Sequence, residues 1–428
     1  MWYLLMVALL AVFAAGLLYV SFRAAGMPFV QRLAKGSWAR ARLGCAAVFL
    51  AVFVALCIIL NIMNALVIFV HLFLFWAICD GVAFAVAKVR THTRACARAR
   101  EDAGADVQVQ AGEQALAGAG ADVGASAGEQ AQVRECAAVG TQAQAGDPAI
   151  TRRDFAGAAA LVLCTAYLGV GWAAEHRVRA THYALATSKF AGSVRIVQIT
   201  DSHLGATFHA DRFAEYMDEI SALSPDIMVV TGDFVDDDTS REDMLGACAA
   251  LARVQATHGV FFVYSNHDKG YYPEELRGWT NAEMRAALDE AGVHVLEDEA
   301  VPLPCGVTVV GRQDRSEDAK GSPRASAETL LAGTDRSSYL LMLDHQPGDF
   351  AREAAAGADL VLCGHTHGGQ LIPLRLIGGT LGINDAWYGH ERRRSTDFIV
   401  SSGMSNWSLQ FKTGCFSEFV IIDLAGTR

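Results

Sequence analysis

Several features that would assign this chain to a common class are missing from its sequence. Its ten cysteines are scattered and none forms a C-x-x-C pair, so their spacing alone predicts no disulfide pattern. Basic residues do not predominate, because 35 lysines and arginines stand against 46 acidic residues, for a formal charge of −11. A nucleic-acid-binding surface is therefore not expected. The opening residues MWYLLM contain no basic residue, which disfavours a cleaved signal peptide.

Charge is also missing from long apolar stretches in the first part of the chain. Residues 2–20 contain no charged residue, and residues 43–87 contain only Asp80. Such runs are long enough to cross a hydrocarbon core of roughly 30 Å, and too long and too apolar to favour buried helices of a soluble core. We predict a transmembrane region over residues 1–90, with helices at about 2–20, 43–62 and 65–87, and a fourth helix over 155–174. The lipid bilayer is thus an expected partner.

Basic residues between these helices predict the orientation. Segments 21–42 and 88–100 each hold five lysines and arginines and no acidic residue, as is typical of cytoplasmic loops. With four spans, everything after residue 175 lies outside the cytoplasm, in a multi-pass protein of the cell membrane. Residues 91–154, rich in Ala, Gly and Gln, are predicted to be a low-complexity, disordered cytoplasmic loop. Residues 175–192 are interpreted as a linker.

Residues 193–428 have the pattern of a separate α/β domain. Short apolar runs alternate with amphipathic stretches such as FHADRFAEYMDEISAL at 208–223, which has apolar residues at helical spacing. The predicted strands are SVRIVQIT (193–200), DIMVVT (226–231), GVFFVY (259–264), VTVVG (307–311), YLLMLD (339–344), ADLVLC (358–363), DFIVSSG and EFVIIDL. This mixture predicts a large, partly parallel sheet core with helices outside.

The residues that follow five of these strands carry metal-ligand chemistry. They are D-S-H at 201–203, G-D at 232–233, S-N-H-D at 265–268, His345, and G-H-T-H at 364–367. Ligands gather at the carboxyl ends of strands in an α/β sheet. Nitrogen and oxygen donors without a thiolate suit Mn, Fe, Zn or Co better than Ca or a Cys-type zinc site. The five strand ends together predict a divalent-metal site.

In this order the five motifs resemble those of the calcineurin-like metallophosphoesterases, which run D-x-H, G-D, G-N-H-[DE], H and G-H-x-H. The resemblance covers roughly residues 190–425 and is similar to the membrane-associated branch, with transmembrane helices ahead of the catalytic domain. It implies a metallophosphoesterase-type α/β sandwich of two packed β-sheets flanked by helices, preceded by about four transmembrane helices. The departure is Ser265, where the family usually has glycine, and no ligand is lost there.

The resemblance also implies a role for each motif residue. One divalent ion, with Mn, Fe or Zn expected, would be held by Asp201, His203, Asp233 and His367, and a second by Asp233, Asn266, His345 and His365. His267 would donate a proton to the leaving alkoxide, and Asp268 would orient its imidazole. Two ions about 3.5–4 Å apart can share a water and lower its pKa. The implied reaction is hydrolysis of a phosphodiester, pyrophosphate or phosphomonoester, lipid-linked esters included, by a metal-bridging hydroxide.

Other interpretations of the same residues stay open at this point. The domain would alternatively be a catalytically weak metal-binding sensor or assembly module of the same fold. Transport by the membrane region is a third hypothesis, but beyond Asp80 and His71 the spans have few polar residues. The acidic run 236–238 fits a solvated turn or helix start better than a further metal site.

Overall fold

The computed structural model describes residues 2–117 and 152–427. The chain divides into two units, Met1–Thr165 and Ala166–Arg428. Helix α5 begins in the first unit and ends in the second. Up to residue 175, the described helices are α1 (Trp2–Ala25), α2 (Pro28–Leu33), α3 (Trp38–Ile59), α4 (Ile62–Ala117) and α5 (Arg152–Glu175).

Within the described residues 2–117 and 152–427, three helical stretches are long and apolar enough to cross a membrane. They are Trp38–Ile59, Ile62–Arg98 and Asp154–Glu175, and α1 adds a shorter apolar stretch, Leu10–Ala25. Large apolar side chains lie on the outside of these helices: Leu43 is 72% and Ile58 82% exposed. Such surfaces suit lipid better than water. The predicted set of about four apolar helices therefore matches the structure, with three long helices and one shorter apolar stretch.

Helix α4 corrects part of the predicted disordered loop over residues 91–154. It continues to Ala117, because the alanine- and glutamine-rich sequence after residue 90 favours a helix. Residues 118–151, the rest of that predicted loop up to the start of α5, lie outside the described residues. Within the first unit, Asp80 finds polar neighbours in Arg23 and Tyr19.

The second unit contains two β-sheets. Its strands are β1 (Arg179–Thr187), β2 (Ala191–Ile199), β3 (Ile227–Val230), β4 (Val260–Phe262), β5 (His294–Val295), β6 (Glu299–Pro302), β7 (Val307–Gly311), β8 (Tyr339–Leu343), β9 (Leu360–Cys363), β10 (Gly389–Arg393), β11 (Thr396–Val400) and β12 (Glu418–Thr427). Its further helices are α6 (Ala210–Ala222), α7 (Arg241–Leu251), α8 (Glu274–Arg277), α9 (Asn281–Glu290), α10 (Ser316–Ala319), α11 (Ala327–Ala332), α12 (Phe350–Ala356) and α13 (Ile372–Leu381).

The first sheet has the order β1-β12-β2-β3-β4-β5 and the second the order β10-β11-β9-β8-β7-β6. Strands β2 to β5 are parallel to one another, as are β7, β8, β9 and β11. Parallel strands covered on both faces are apolar throughout, and β3, β8 and β9 are buried along their whole length. This is the predicted sandwich of two sheets flanked by helices, which the structure confirms.

Apolar side chains fill three layers of this sandwich. Phe261 and Leu341 are among those packed between the two sheets. The outer face of the first sheet is covered by helices that include Phe213 of α6. On the outer face of the second sheet, Phe350 of α12 stacks on Phe398 of β11 with ring centroids 4.0 Å apart. The core therefore fixes both sheets from both sides, so their strand ends are held in place.

Strand β1 corrects the predicted linker over residues 175–192. It pairs with β12 in parallel register over nine residues, Arg179 to Thr187. Alternate side chains of β1 are half-buried, so the sequence RATHYALAT presents one face to the sheet. The short strands β5, β6 and β10 were also missed by the sequence interpretation, because runs of two to five residues carry little periodic signal.

Candidate metal centre

The carboxyl ends of parallel strands from both sheets meet at one place. Asp201 follows β2 and Asp233 follows β3 in the first sheet, and His345 follows β8 in the second. The ring Nδ1 of His345 lies 2.8 Å from the carbonyl oxygen of Thr231, at the end of β3. The backbone amide of His365, after β9, donates to the Asp201 carboxylate at 2.9 Å. These bonds join the two sheets at the site.

Four predicted ligands form a first cluster of buried side chains. Their ligand atoms all lie within 4.8 Å of one another, and the residues are Asp201, His203, Asp233 and His367. The Nε2 atoms of His203 and His367 are 3.3 Å apart. Nε2 of His203 is 3.5 Å from Oδ2 of Asp233, and Nε2 of His367 is 3.5 Å from Oδ1 of Asp201. All four donors thus converge on one point, as a metal site requires.

A second cluster shares Asp233 with the first. It joins Asp233, His345 and His365, with Nε2 of His345 3.2 Å from Oδ2 of Asp233. Asn266 lies beside it, because its Oδ1 accepts a hydrogen bond at 3.4 Å from Gln346, the residue after His345. Its Nδ2 donates to the hydroxyl of Tyr271 at 2.7 Å, which leaves Oδ1 on the opposite side of the amide. The structure therefore brings six of the seven predicted ligands into two clusters, and places Asn266 within a hydrogen bond of the residue after His345.

Three imidazoles are held at Nδ1, so their Nε2 atoms are directed into the clusters. Nδ1 of His203 lies 2.6 Å from Asp236, and Nδ1 of His345 contacts the Thr231 carbonyl. Nδ1 of His367 lies 2.9 Å from the carbonyl oxygen of Ser405. A histidine that ligates a metal commonly donates its other ring N–H to an oxygen in this way. The arrangement leaves each Nε2 as the ring atom that can bind an ion once it has lost any proton.

Backbone strain is concentrated at the same residues. Five predicted ligands have left-handed φ angles between 40° and 70°, namely Asp201, His203, Asp233, His365 and His367. A non-glycine residue held in such a region costs about 1–3 kcal/mol, and strain of this kind clusters at functional sites. Gly364 allows a close approach of the backbone, because a Cβ there would lie 2.2 Å from Oδ2 of Asp201. The loops that carry the predicted ligands are therefore held in strained backbone conformations.

The pKa shifts in the site indicate that a metal ion would displace protons from histidines. Burial lowers the pKa of His203, but nearby carboxylates, above all Asp236, outweigh it and raise that pKa to about 9. Burial and then the charge of His345 lower the pKa of His365 to about 4. Burial favours the protonated form of Asp233, but the imidazoliums around it, His345 first, hold its pKa well below the usual range. Protons on histidines therefore balance the carboxylates, and a cation would replace them.

The residues present fit a divalent metal. Nδ1 of His365 is buried and has no hydrogen-bond partner among the described residues, although a buried ring nitrogen ordinarily requires one. The donors are carboxylate oxygens, imidazole nitrogens and one amide oxygen, the set that Mn, Fe and Zn accept. The clusters would hold one ion between Asp201 and His367 and another beside His345.

Comparison with known proteins shows the family of this chain. The family model for calcineurin-like phosphoesterases matches residues 194–369. An uncharacterized metallophosphoesterase of Aquifex aeolicus is 32% identical over 262 residues, which cover 58% of this chain and 92% of that protein. This chain belongs to the calcineurin-like metallophosphoesterase family.

Other relatives match over the same part of this metallophosphoesterase. A Campylobacter jejuni metallophosphoesterase is 26% identical over 240 residues, 55% of this chain and 60% of that protein. A Bos taurus transmembrane protein with metallophosphoesterase domain is 27% identical over 239 residues, 53% of this chain and 52% of that protein. The chain thus spans about half to three-fifths of these two proteins. The crystal structure of a dimetal phosphatase from Danio rerio is 13% identical, covers 48% of this chain and 86% of that chain, and has a TM-score of 0.29.

The structure corrects the predicted role of Asp268 in this metallophosphoesterase. Its carboxylate does not orient His267 but accepts hydrogen bonds from the backbone amides of Asp233, Phe234, Val235 and Ser265, at 2.8–3.1 Å. A buried acid with this many amide donors fixes the loop that carries Asp233. Asp236 is the residue that orients the imidazole of His267, because its carboxylate contacts Nδ1 of both His203 and His267. Asp236 was interpreted from sequence as part of a solvated turn, and that interpretation is wrong.

Ser265, which replaces the glycine usual in the family, is part of the same network. Its hydroxyl accepts a hydrogen bond at 2.6 Å from the backbone amide of Asp233 and contacts the carboxylates of Asp233 and Asp268. Its φ is not in the left-handed region, so the added Cβ causes no backbone strain there. The substitution therefore leaves the ligands in place and adds a hydroxyl beside Asp233.

Replacing Asp236 should weaken metal binding. Asp236→Ala removes the carboxylate that holds two imidazoles, and loss of such a partner typically costs about 10–100-fold in metal affinity. Asp238→Ala is the matched control, because Asp238 lies in the same acidic run but is exposed. Isothermal titration of the purified chain with Mn²⁺ measures both. Equal affinities in the two variants would contradict the role assigned to Asp236.

Metal affinity should also rise with pH. His203, with a pKa of about 9 in the metal-free site, carries a proton at neutral pH and must lose it to become a ligand. Mn²⁺ affinity should therefore increase between pH 6 and pH 8, by about tenfold per pH unit for each proton displaced. Asp236→Ala removes the chief source of the raised pKa and should flatten this dependence. A dissociation constant that does not change with pH in the unmodified chain would refute the protonation of His203.

Proposed function

We propose that this chain is a membrane-anchored phosphoesterase that uses two divalent ions to hydrolyse a phosphodiester, pyrophosphate or phosphomonoester. The observation that carries the proposal is the pair of ligand clusters that share Asp233. Family membership supports phosphoric ester hydrolysis as the reaction class. Two ions bound in such a site supply Lewis acidity, lower the pKa of a water and stabilise the attacking and leaving oxygens of the phosphoryl group.

His267 is the residue best placed to move a proton in the proposed reaction. Its Nδ1 contacts the Asp236 carboxylate, so Nε2 is the atom left to donate to a leaving oxygen. Burial lowers the pKa of His267, but Asp233 and Asp236 outweigh this and raise it. A raised pKa favours the protonated imidazole, the form that a general acid requires. The rings of Tyr271 and Trp407 lie 5.0 and 5.6 Å from it and limit its movement.

Asp233 is held for its shared position by groups of this chain. Its Oδ1 accepts a hydrogen bond at 3.3 Å from the backbone amide of His267 and contacts the hydroxyl of Ser265. Its Oδ2 faces the imidazoles of His203 and His345. The carboxylate is therefore oriented before an ion arrives, which lowers the entropy lost on binding.

We further propose that the protein is a multi-pass protein of the cell membrane with the phosphoesterase domain on its extracytoplasmic face. The apolar helices and the similarity to a transmembrane protein of Bos taurus support membrane association. The orientation rests on the basic segments 21–42 and 88–100. At this location, the proposed class of substrates includes phosphate esters that are linked to a lipid.

Loss of either histidine of the G-H-T-H motif should abolish turnover. His365→Ala and His367→Ala each remove a ligand, and we expect hydrolysis of bis(4-nitrophenyl) phosphate with Mn²⁺ to fall by more than about 100-fold, the effect of losing one group that stabilises the transition state. His258→Ala is the control, since His258 precedes β4, away from the ligands. Full activity in either ligand variant would refute the assignment. An unmodified chain without metal-dependent turnover would favour the sensor alternative.

The orientation can be tested with a membrane-impermeant maleimide on intact cells. Asp335 is exposed in the phosphoesterase domain, and Cys96 is an exposed cysteine in the basic segment predicted to be cytoplasmic. Asp335→Cys should add labelling in intact cells, because its side chain would face outside. Cys96→Ala should remove a label that appears only after lysis. Labelling of Asp335→Cys only after lysis would place the domain in the cytoplasm.

A further inference from the structure

The last residue of α5 is a carboxylate buried inside the second unit. Glu175 is 0% exposed. Its Oε1 accepts hydrogen bonds at 2.7 Å from the hydroxyl of Thr207 and from the backbone amide of Asn406. Its Oε2 accepts one at 3.1 Å from the hydroxyl of Ser417. A negative charge at a helix C-terminus is unfavourable with respect to the helix dipole, so this carboxylate depends on compensation from its surroundings.

That compensation comes from a lysine that is equally buried. Nζ of Lys412 is 3.6 Å from Oε2 of Glu175, and its side chain is 0% exposed. The ammonium group also contacts the backbone carbonyl oxygens of Ser402, Gly403 and Ser405, at 2.7, 3.4 and 3.3 Å. One buried charge thus holds three carbonyls of a single loop, which we call the 402–405 loop, in a fixed arrangement.

The 402–405 loop forms the support behind two ligands of the first cluster. The Ser405 carbonyl that contacts Lys412 also contacts Nδ1 of His367 at 2.9 Å. The Ser405 backbone amide donates to the carbonyl oxygen of Asp201 at 2.9 Å. The loop packs closely enough that a Cβ on Gly403 would lie 2.6 Å from Cβ of Asp201. Any shift of this loop would move His367 and Asp201.

We propose that Glu175 and Lys412 are positioning residues for the first cluster, so that its affinity for a divalent ion depends on the last residue of α5. The inference rests on the proposed metal-dependent function. Without the Glu175 charge, the Lys412 ammonium is a buried cation with only neutral acceptors, and the 402–405 loop must rearrange to bring it nearer to water. His367 then loses its fixed orientation.

The effect should be larger in one half of the site than in the other. His345 of the second cluster is held by the Thr231 carbonyl at the end of β3, and Asn266 by Tyr271. Neither contact involves the 402–405 loop. Loss of Glu175 therefore weakens the ion bound between Asp201 and His367 more than the ion beside His345, which the loop reaches only through Asp201 and the shared Asp233. A general loss of folding would weaken both equally.

The test is Mn²⁺ binding by the full-length chain in detergent, measured as the number of ions and the affinity of each. Glu175→Gln preserves the size of the side chain and removes its charge, and we expect one ion of two to bind about 10–100-fold more weakly. Asp359→Asn is the matched control, because Asp359 also pairs with a lysine, Lys189, but at the amino end of β9. It should leave both affinities unchanged.

A double variant separates positioning from stability. Glu175→Gln with Lys412→Met removes both buried charges, which commonly restores stability, but it also removes the ammonium that holds the 402–405 loop. We expect its unfolding temperature to return towards that of the unmodified chain while binding of one ion stays weak. Two ions at full affinity in either variant would overturn the inference. An unmodified chain that binds no Mn²⁺ would instead overturn the proposed function itself.

Discussion

The carboxylate of Asp233 is the group on which both halves of the site depend. Its Oδ2 lies 3.5 Å from a histidine that follows a strand of the first sheet and 3.2 Å from one that follows a strand of the second. A charge buried this completely is costly unless it is paired and hydrogen-bonded. The contacts of Ser265, the amide of His267 and the surrounding imidazoles supply that pairing. The two ligand clusters are therefore coupled through one shared carboxylate.

The two-sheet sandwich is what makes this coupling possible. Strands that are parallel within each sheet end at a common edge, and apolar layers on both faces of each sheet keep those ends in register. Hydrogen bonds across the sheets, such as that from the Gln198 side chain to the carbonyl of Cys363 at 3.0 Å, join the edges directly. This support allows five ligands to remain in left-handed backbone conformations that would otherwise relax.

The sequence predicted much of this arrangement, and its failures have physical reasons. Long apolar strands and the motifs after them were found, because burial on both faces gives continuous apolar runs and polar residues at their ends contrast with them. Asp236 was missed because three successive acids look alike in a sequence, and only the fold decides that Asp236 faces His203 and His267. Its position three residues after Asp233 was the only available signal. Asp268 follows His267 in the chain, yet its carboxylate turns to backbone amides instead. The side chains of residues that are adjacent in sequence need not contact each other.

Strand β1 limits where this domain can be joined to a different membrane anchor. It pairs with β12 over nine residues, so the first and last strands of the domain lie side by side in one sheet. Only three residues separate β1 from the end of α5, whose final residue is buried in the same unit. An exchange of modules that joined a new anchor at residue 193 would delete both the edge strand and that buried carboxylate. A junction that keeps this domain intact must therefore lie before Glu175, within or ahead of α5.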